Sequence, residues 1–198
     1  MTKTKNYQKE KLTIDLVRAN IIGILILIPI VAIYGLSYYL KWHNDFSTDV
    51  LKKFVNDLSP KVIGSGMAII FLVMILGIVV HELIHGIIWA RYAEKGFKSI
   101  KFGVLWKMLT PYCHCKEPLL VKHYILGAIM PASVLGLIPA IYSIIMGNIG
   151  LLLFGVFFTL TACGDFMVIN VLRKEKMDSL VQDHPSEVGC YIYRKVKD

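Results

Sequence analysis

His81, Glu82 and His85 stand within five positions, in the run His81-Glu82-Leu83-Ile84-His85, and are the residues of this sequence best arranged for chemistry. Residues four apart on an α-helix share one face, about one turn apart, so two imidazoles at this spacing can present nitrogens to a single Zn²⁺. The glutamate beside the first histidine lies next to such a metal without ligating it. From there its carboxylate can take a proton from an activated water and later deliver it to a leaving amine. The plainer alternative is two histidines and a glutamate satisfied by neighbouring helices. The setting weighs against it, because the motif sits inside a long apolar run and an unpaired glutamate in hydrocarbon costs several kcal/mol. A catalytic zinc keeps three protein ligands and one open position. Asp165 is the expected third ligand, since it lies in a later apolar stretch at a depth within one or two turns of His81. Its alternative is a pairing with Lys122, Arg173 or another helix.

The elements that must carry these residues are apolar helices. The chain has 198 residues, 56% of them hydrophobic and 18% charged, which is too apolar for a soluble fold of this size. Four stretches, about 20–40, 62–92, 124–146 and 149–172, each approach or exceed the roughly 20 residues that a bilayer requires. The last two are joined only by Gly147 and Asn148, a tight helical hairpin. The first follows a basic tail as a signal peptide would, but it is too long and lacks a small-x-small cleavage site, so it reads as a retained helix. The net charge of +8 resides in segments flanking the apolar runs. Lys3, Lys5, Lys9, Lys11 and Arg18 precede the first stretch, and Arg91, Lys95, Lys98, Lys101, Lys107, Lys116 and Lys122 separate the second from the third. Few lie between the first and second, where Asp45, Asp49 and Asp57 offset them, and none between the third and fourth. This alternation predicts a multi-pass protein of the cell membrane with both termini and the middle loop cytoplasmic. It also explains the basic surplus without nucleic acid as a partner.

The middle loop carries its own pattern. Ile100, Phe102, Val104 and Trp106 alternate with Lys101, Gly103, Leu105 and Lys107 at the strand period of two, and Thr110-Pro111 breaks the run. A second extended piece, Tyr112 to Lys116, would return beside it as a hairpin at the cytoplasmic membrane surface. The tail offers another, Val188 to Arg194, after the turn Asp183-His184-Pro185-Ser186. The expected fold class is therefore an all-α membrane protein of four transmembrane helices with a small β-hairpin-like cytoplasmic loop, a single integral membrane domain over 1–198.

Other polar residues read more plainly. Cys113-His114-Cys115 in a strand places its cysteines on one face with the histidine opposite, and no second pair follows at zinc-finger spacing. The four cysteines lack a secreted disulfide framework and are expected to be thiols. His123 and His184 read as surface histidines, although Asp183 and His184 could orient a metal ligand. His43 falls on the outer side. Trp42 and Trp106 read as interfacial anchors, and the Gly and Pro residues of the third helix, with Gly164, as points of close helix approach.

With HELIHG in a membrane helix, Gly127-Ala-Ile-Met-Pro131 opening the next and Gly164-Asp165 in the last, the chain resembles the zincin peptidase family of small bacterial membrane proteins. The core of that family is similar to site-2 proteases, and the resemblance covers about 62–194. It implies that the motif helix supplies His81, His85 and the base Glu82, and that a later helix supplies Asp165. The sequence departs from the site-2 pattern, Asn-Pro-Asp-Gly, in having Cys163-Gly164-Asp165-Phe166. The sequence shows no PDZ module, so substrate gating is expected from the helices and the middle loop. In site-2 proteases a β element near the site pairs with an unwound substrate, and 97–116 is the corresponding position.

The resulting expectation is a zinc metalloendopeptidase that hydrolyses peptide bonds of a membrane protein or peptide in or near the bilayer, on the cytoplasmic side. Two rivals stand beside it: a non-catalytic metal-binding scaffold, and a small transporter component, against which the single clustered site and the lack of an inverted repeat both count.

Overall fold

The structure, a computed structural model, describes residues 7–13, 16–45, 59–106, 110–184 and 189–195. Lys107, the turn residues Pro185 and Ser186, Val188, and the terminal and loop charges Lys3, Lys5, Asp49 and Asp57 lie outside them.

The chain begins with strand β1 (Tyr7–Thr13) and helix α1 (Leu16–Trp42). Helix α2 (Pro60–Tyr92) follows, then strands β2 (Ile100–Leu105), β3 (Thr110–Cys115) and β4 (Leu119–Leu120). Helix α3 (Val121–Met146) turns tightly into α4 (Ile149–Thr161) and α5 (Cys163–Leu172), and strands β5 (Leu180–Asp183) and β6 (Gly189–Lys195) end the chain. Three helices are long and apolar enough to cross a membrane, and the α4–α5 pair makes up to a fourth if it counts as one span. Met67, Ile70 and Phe71 of α2 turn outward, more than 60% exposed, as suits a hydrocarbon surround.

The α4–α5 pair is bent by 42°. The hydroxyls of Thr159 and Thr161 donate back to the carbonyls of Gly155 and Phe158, at 2.8 and 3.0 Å, a competition with the helical ladder that bends helices. Ala162, at ψ 4°, has already left helical geometry. Helix α3 is also irregular. Between Pro131 and Pro139, neither of which has an N–H to donate, its backbone widens to a π turn over Ala132–Leu137. Gly136 in that turn meets Thr159, and Gly155 meets Ala140, so small residues bring α3 and α4 together. Gly164, expected to serve the same end, has nothing within 4 Å of where a Cβ would stand. The close approach is made by Gly136 and Gly155 instead.

The expected Gly147–Asn148 turn is present. Gly147 takes the left-handed conformation at φ 75°, and the Asn148 side chain accepts from the Leu151 N–H at 2.9 Å, capping α4. Helix α1 closes over this turn, its Tyr38 hydroxyl and Trp42 indole donating to the carbonyls of Gly147 and Ile144 at 2.6 and 2.9 Å.

Strands β2 and β3 form the expected antiparallel hairpin, with Phe102 opposite Cys113 and Ile100 opposite Cys115. A second antiparallel sheet, in the order β1-β6-β5-β4, joins both ends of the chain to the start of α3. The all-α expectation is therefore corrected to a mostly helical fold with six strands among the described residues. The tail strand exists but lies in this larger sheet, beside β1 and β5. A buried core of Trp89, Cys115, Leu119, Val121, Tyr124, Leu172, Val181 and Ile192 fills the junction between the sheet and the helix ends. Burial of such side chains stabilises the junction by roughly 1.5–3 kcal/mol each.

Candidate metal centre

Gly77, His81, His85 and Trp89 recur every four residues along α2 and are all buried, forming an inward stripe beside which Gly86 and Ala90 are also buried. The ring of Phe158 packs where a Cβ on Gly77 would stand, which lets α4 come close at that level. Asp165, in the first turn of α5, then reaches both histidines. Its Oδ2 lies 3.3 Å from His81 Nε2 and its Oδ1 lies 3.3 Å from His85 Nε2. The histidine side chains are 7% and 4% exposed and the aspartate 23%. A carboxylate in the first turn of a helix is also favoured by the positive end of the helix dipole.

One ligand atom from each of the three residues lies within 4.8 Å of the others. For a tetrahedral ion with bonds of about 2.0–2.1 Å, ligand atoms are separated by roughly 3.3 Å. Each imidazole Nε2 lies 3.3 Å from one oxygen of the Asp165 carboxylate, a different oxygen for each ring. Two imidazoles and a carboxylate are also the donors that suit zinc better than a hard, oxygen-seeking cation. The residues present thus fit a zinc ion.

The second nitrogen of each ring differs in its surroundings. His85 Nδ1 is 2.9 Å from the carbonyl oxygen of Gly127. A carbonyl only accepts, so Nδ1 carries the proton, which leaves Nε2 as the nitrogen available to a metal. The His85 ring is stacked on Trp89, with centroids 5.0 Å apart and planes at 16°, and Trp89 stacks in turn on Tyr124 at 4.9 Å and donates to the Tyr124 carbonyl. His81 Nδ1 is buried with no hydrogen-bond partner. Glu82, half-buried beside the cluster, lies beside the backbone N–H of Cys113 on β3.

Among the described residues, His81, His85 and Asp165 make the one metal-competent group. The Cys113-His114-Cys115 run does not join it. Burial raises the Cys113 thiol far above its ordinary range, and raises Cys115 to about 11 and Cys190 to about 12, so none is a ready thiolate ligand. His123 stacks on Tyr92 with centroids 3.8 Å apart, and His184 lies against Tyr191 at 4.8 Å. His43 faces the Leu40 carbonyl. Trp106 is 78% exposed, as an interfacial anchor would be, whereas Trp42 is tied to α3.

Several contributors escaped the sequence reading. Trp89 was detectable as the next step of the four-residue stripe. The Gly127 carbonyl and the Cys113 N–H had no side-chain signal, since any residue carries those groups.

A family model described as Putative zincin peptidase matches residues 58–180, which include every residue of the cluster. No curated protein and no solved structure matches.

Proposed function

The chain belongs to the zincin peptidases, and on that premise we propose that it is a membrane-embedded zinc metalloendopeptidase, similar to site-2 proteases, that cleaves a membrane protein or peptide in or near the bilayer on its cytoplasmic side. The observation that carries the proposal is the convergence of His81 Nε2 and His85 Nε2 on the two oxygens of Asp165, with Glu82 alongside. The cytoplasmic side is supported by the distribution of lysine and arginine.

His81, His85 and Asp165 would hold the zinc ion, which when bound polarises a carbonyl and acidifies a water. His85 is kept in its ligating tautomer by the Gly127 carbonyl, and the ring is fixed in place by the Trp89 stack. Glu82 is the general base. Its carboxylate takes the proton of the attacking water and returns it to the departing amine nitrogen, so that the C–N bond breaks without expelling an amide anion. The Cys113 N–H beside the Glu82 carboxylate would orient it without competing for its proton. Substrate in extended form would lie along the β2–β3 hairpin, whose two strands, among the described residues, pair only with each other.

The test is metal analysis of the purified protein together with cleavage of candidate membrane peptides by wild type and Glu82→Gln. About one zinc per chain in both, with hydrolysis reduced by roughly 10² to 10⁴ in the variant, is the expected result. If Glu82→Gln preserves the biological phenotype while His81→Ala abolishes it, the protein is a metal-binding scaffold and not a hydrolase.

A further inference from the structure

Asp183 ends β5, eighteen positions beyond the aspartate of the cluster and outside the span matched by the family. Its two carboxylate oxygens take donors from two different elements. Oδ2 accepts the Cys115 backbone N–H at 2.8 Å, and Oδ1 accepts the Tyr124 hydroxyl in a short hydrogen bond. Each donor is one step from the metal cluster. Tyr124 precedes by one helical turn Gly127, whose carbonyl holds His85, and its ring stacks on Trp89, which stacks on His85. Cys115 follows by two residues Cys113, whose backbone lies beside Glu82.

The register of the hairpin makes the second link physical. In an antiparallel pair, successive residues of a strand send their N–H groups to opposite edges. Cys115 spends its N–H on Asp183, away from β2, so Cys113 must present its N–H on that same outer edge, where Glu82 lies. Pro111, two residues further along, falls at the same phase, where a missing N–H costs the β2–β3 ladder nothing. The outer edge of β3 is thus held at one position by Asp183 and used at the next to hold Glu82. Gln182 adds a second tie from β5, donating at 2.5 Å to the carbonyl of Lys116, the residue that follows this strand.

We propose that Asp183 is a positioning residue for the Glu82 carboxylate: by clamping Cys115 to Tyr124 it fixes the β3 edge from which Cys113 holds Glu82. The tail sheet is then part of the active-site apparatus, and its order β1-β6-β5-β4 links both ends of the chain to the general base. The catalytic half of the inference rests on the reading of Glu82 as that base, whereas the mechanical coupling does not.

The sequence provides a direct probe, because its four cysteines give a ¹⁵N-cysteine-labelled protein four backbone amide signals. Amide exchange would be followed on the full chain in detergent for wild type, Asp183→Asn, Tyr124→Phe and Glu82→Gln. Asp183→Asn should speed exchange at both Cys115 and Cys113 by about ten- to a hundredfold, the factor carried by a hydrogen bond to a charged acceptor. The Cys163 amide and the zinc content should stay as in wild type, and kcat should fall with little change in KM. Glu82→Gln should loosen Cys113 without loosening Cys115. If Asp183→Asn frees Cys115 while Cys113 exchange and kcat are unchanged, the residue is merely structural and the proposal is overturned. If Asp183→Asn also loosens Cys163, the fold is perturbed and Tyr124→Phe decides. That variant keeps the carboxylate and should loosen both hairpin amides by a smaller factor, so no change there overturns the proposal. Coupled amides in a wild type that hydrolyses nothing would support the clamp while removing the peptidase reading, so the two failures are distinguishable.

Discussion

His85 and Gly127 are joined by one hydrogen bond, from the imidazole Nδ1–H to the glycine carbonyl at 2.9 Å, and it links the helix that carries the motif to the helix that follows the hairpin. A ring Cβ-deep in a helix bundle would otherwise be free to choose its tautomer. Here the backbone of α3 makes the choice and leaves Nε2 facing Asp165. Gly127 can approach because it has no Cβ: the Trp89 indole occupies the space that one would need.

Substituting Gly127 by Ala should therefore do two things at once. Overpacking against Trp89 should cost about 1–3 kcal/mol of stability, and displacement of the carbonyl should weaken zinc binding by roughly 10- to 100-fold. Gly164→Ala, where the added methyl meets open space, should leave zinc binding near wild type. Thermal unfolding and zinc titration of the two variants check the contrast; equal losses in both would count against the Trp89–Gly127 contact as the cause.

Asp165→Asn keeps the shape of the side chain and removes its negative charge, so zinc affinity should fall by more than about 100-fold, beyond what the loss of a supporting hydrogen bond brings. His81→Ala together with His85→Ala should abolish zinc binding. Metal analysis after purification without added zinc reads both, and full occupancy in the double variant would remove the site.

Arg194 forks onto Glu175, Nε donating to Oε2 at 2.8 Å and Nη2 to Oε1 at 2.6 Å, and it also pairs with Glu10 of β1. These bonds hold the Glu175 carboxyl below its ordinary value of 4.5. A group whose folded pKa is depressed contributes stability that is present above the unfolded pKa and lost as pH falls through the folded one. Tail-sheet stability should accordingly decline on acidification below about pH 4.5, by less than about 1 kcal/mol because Arg194 stays 43% exposed. Proteolysis of the tail as a function of pH would measure this, and Glu175→Gln should flatten that part of the profile.

The proposed orientation rests on charge alone. A reporter fused after Asp198 should behave as cytoplasmic, and one inserted near Asn148 as external. The reverse pattern would place the metal cluster near the opposite face.

The reach of the sequence is clearest where one side chain's chemistry is enough. Two histidines at helical spacing with a glutamate beside the first, inside an apolar run, point to a metal face, and apolar runs of spanning length point to helices, because both signals are local. The alternation from Ile100 to Trp106 likewise announced a strand. What the tertiary structure decided is everything that depends on which groups meet. Strand β1, Tyr7-Gln8-Lys9-Glu10-Lys11-Leu12-Thr13, is almost wholly polar and has no core-facing pattern to read. It becomes a strand because β6 pairs with it, Lys9 lies 3.5 Å over the Tyr191 ring and Glu10 meets Arg194. The bend at Ala162 brings Asp165 toward both histidines, and it depends on threonine hydroxyls competing for carbonyls, a competition that propensity does not record. Backbone groups decide the rest: the Gly127 carbonyl that selects the His85 tautomer and the Cys113 N–H that lies beside Glu82 belong to no residue type, so only the folded chain, by placing them, could give them a role.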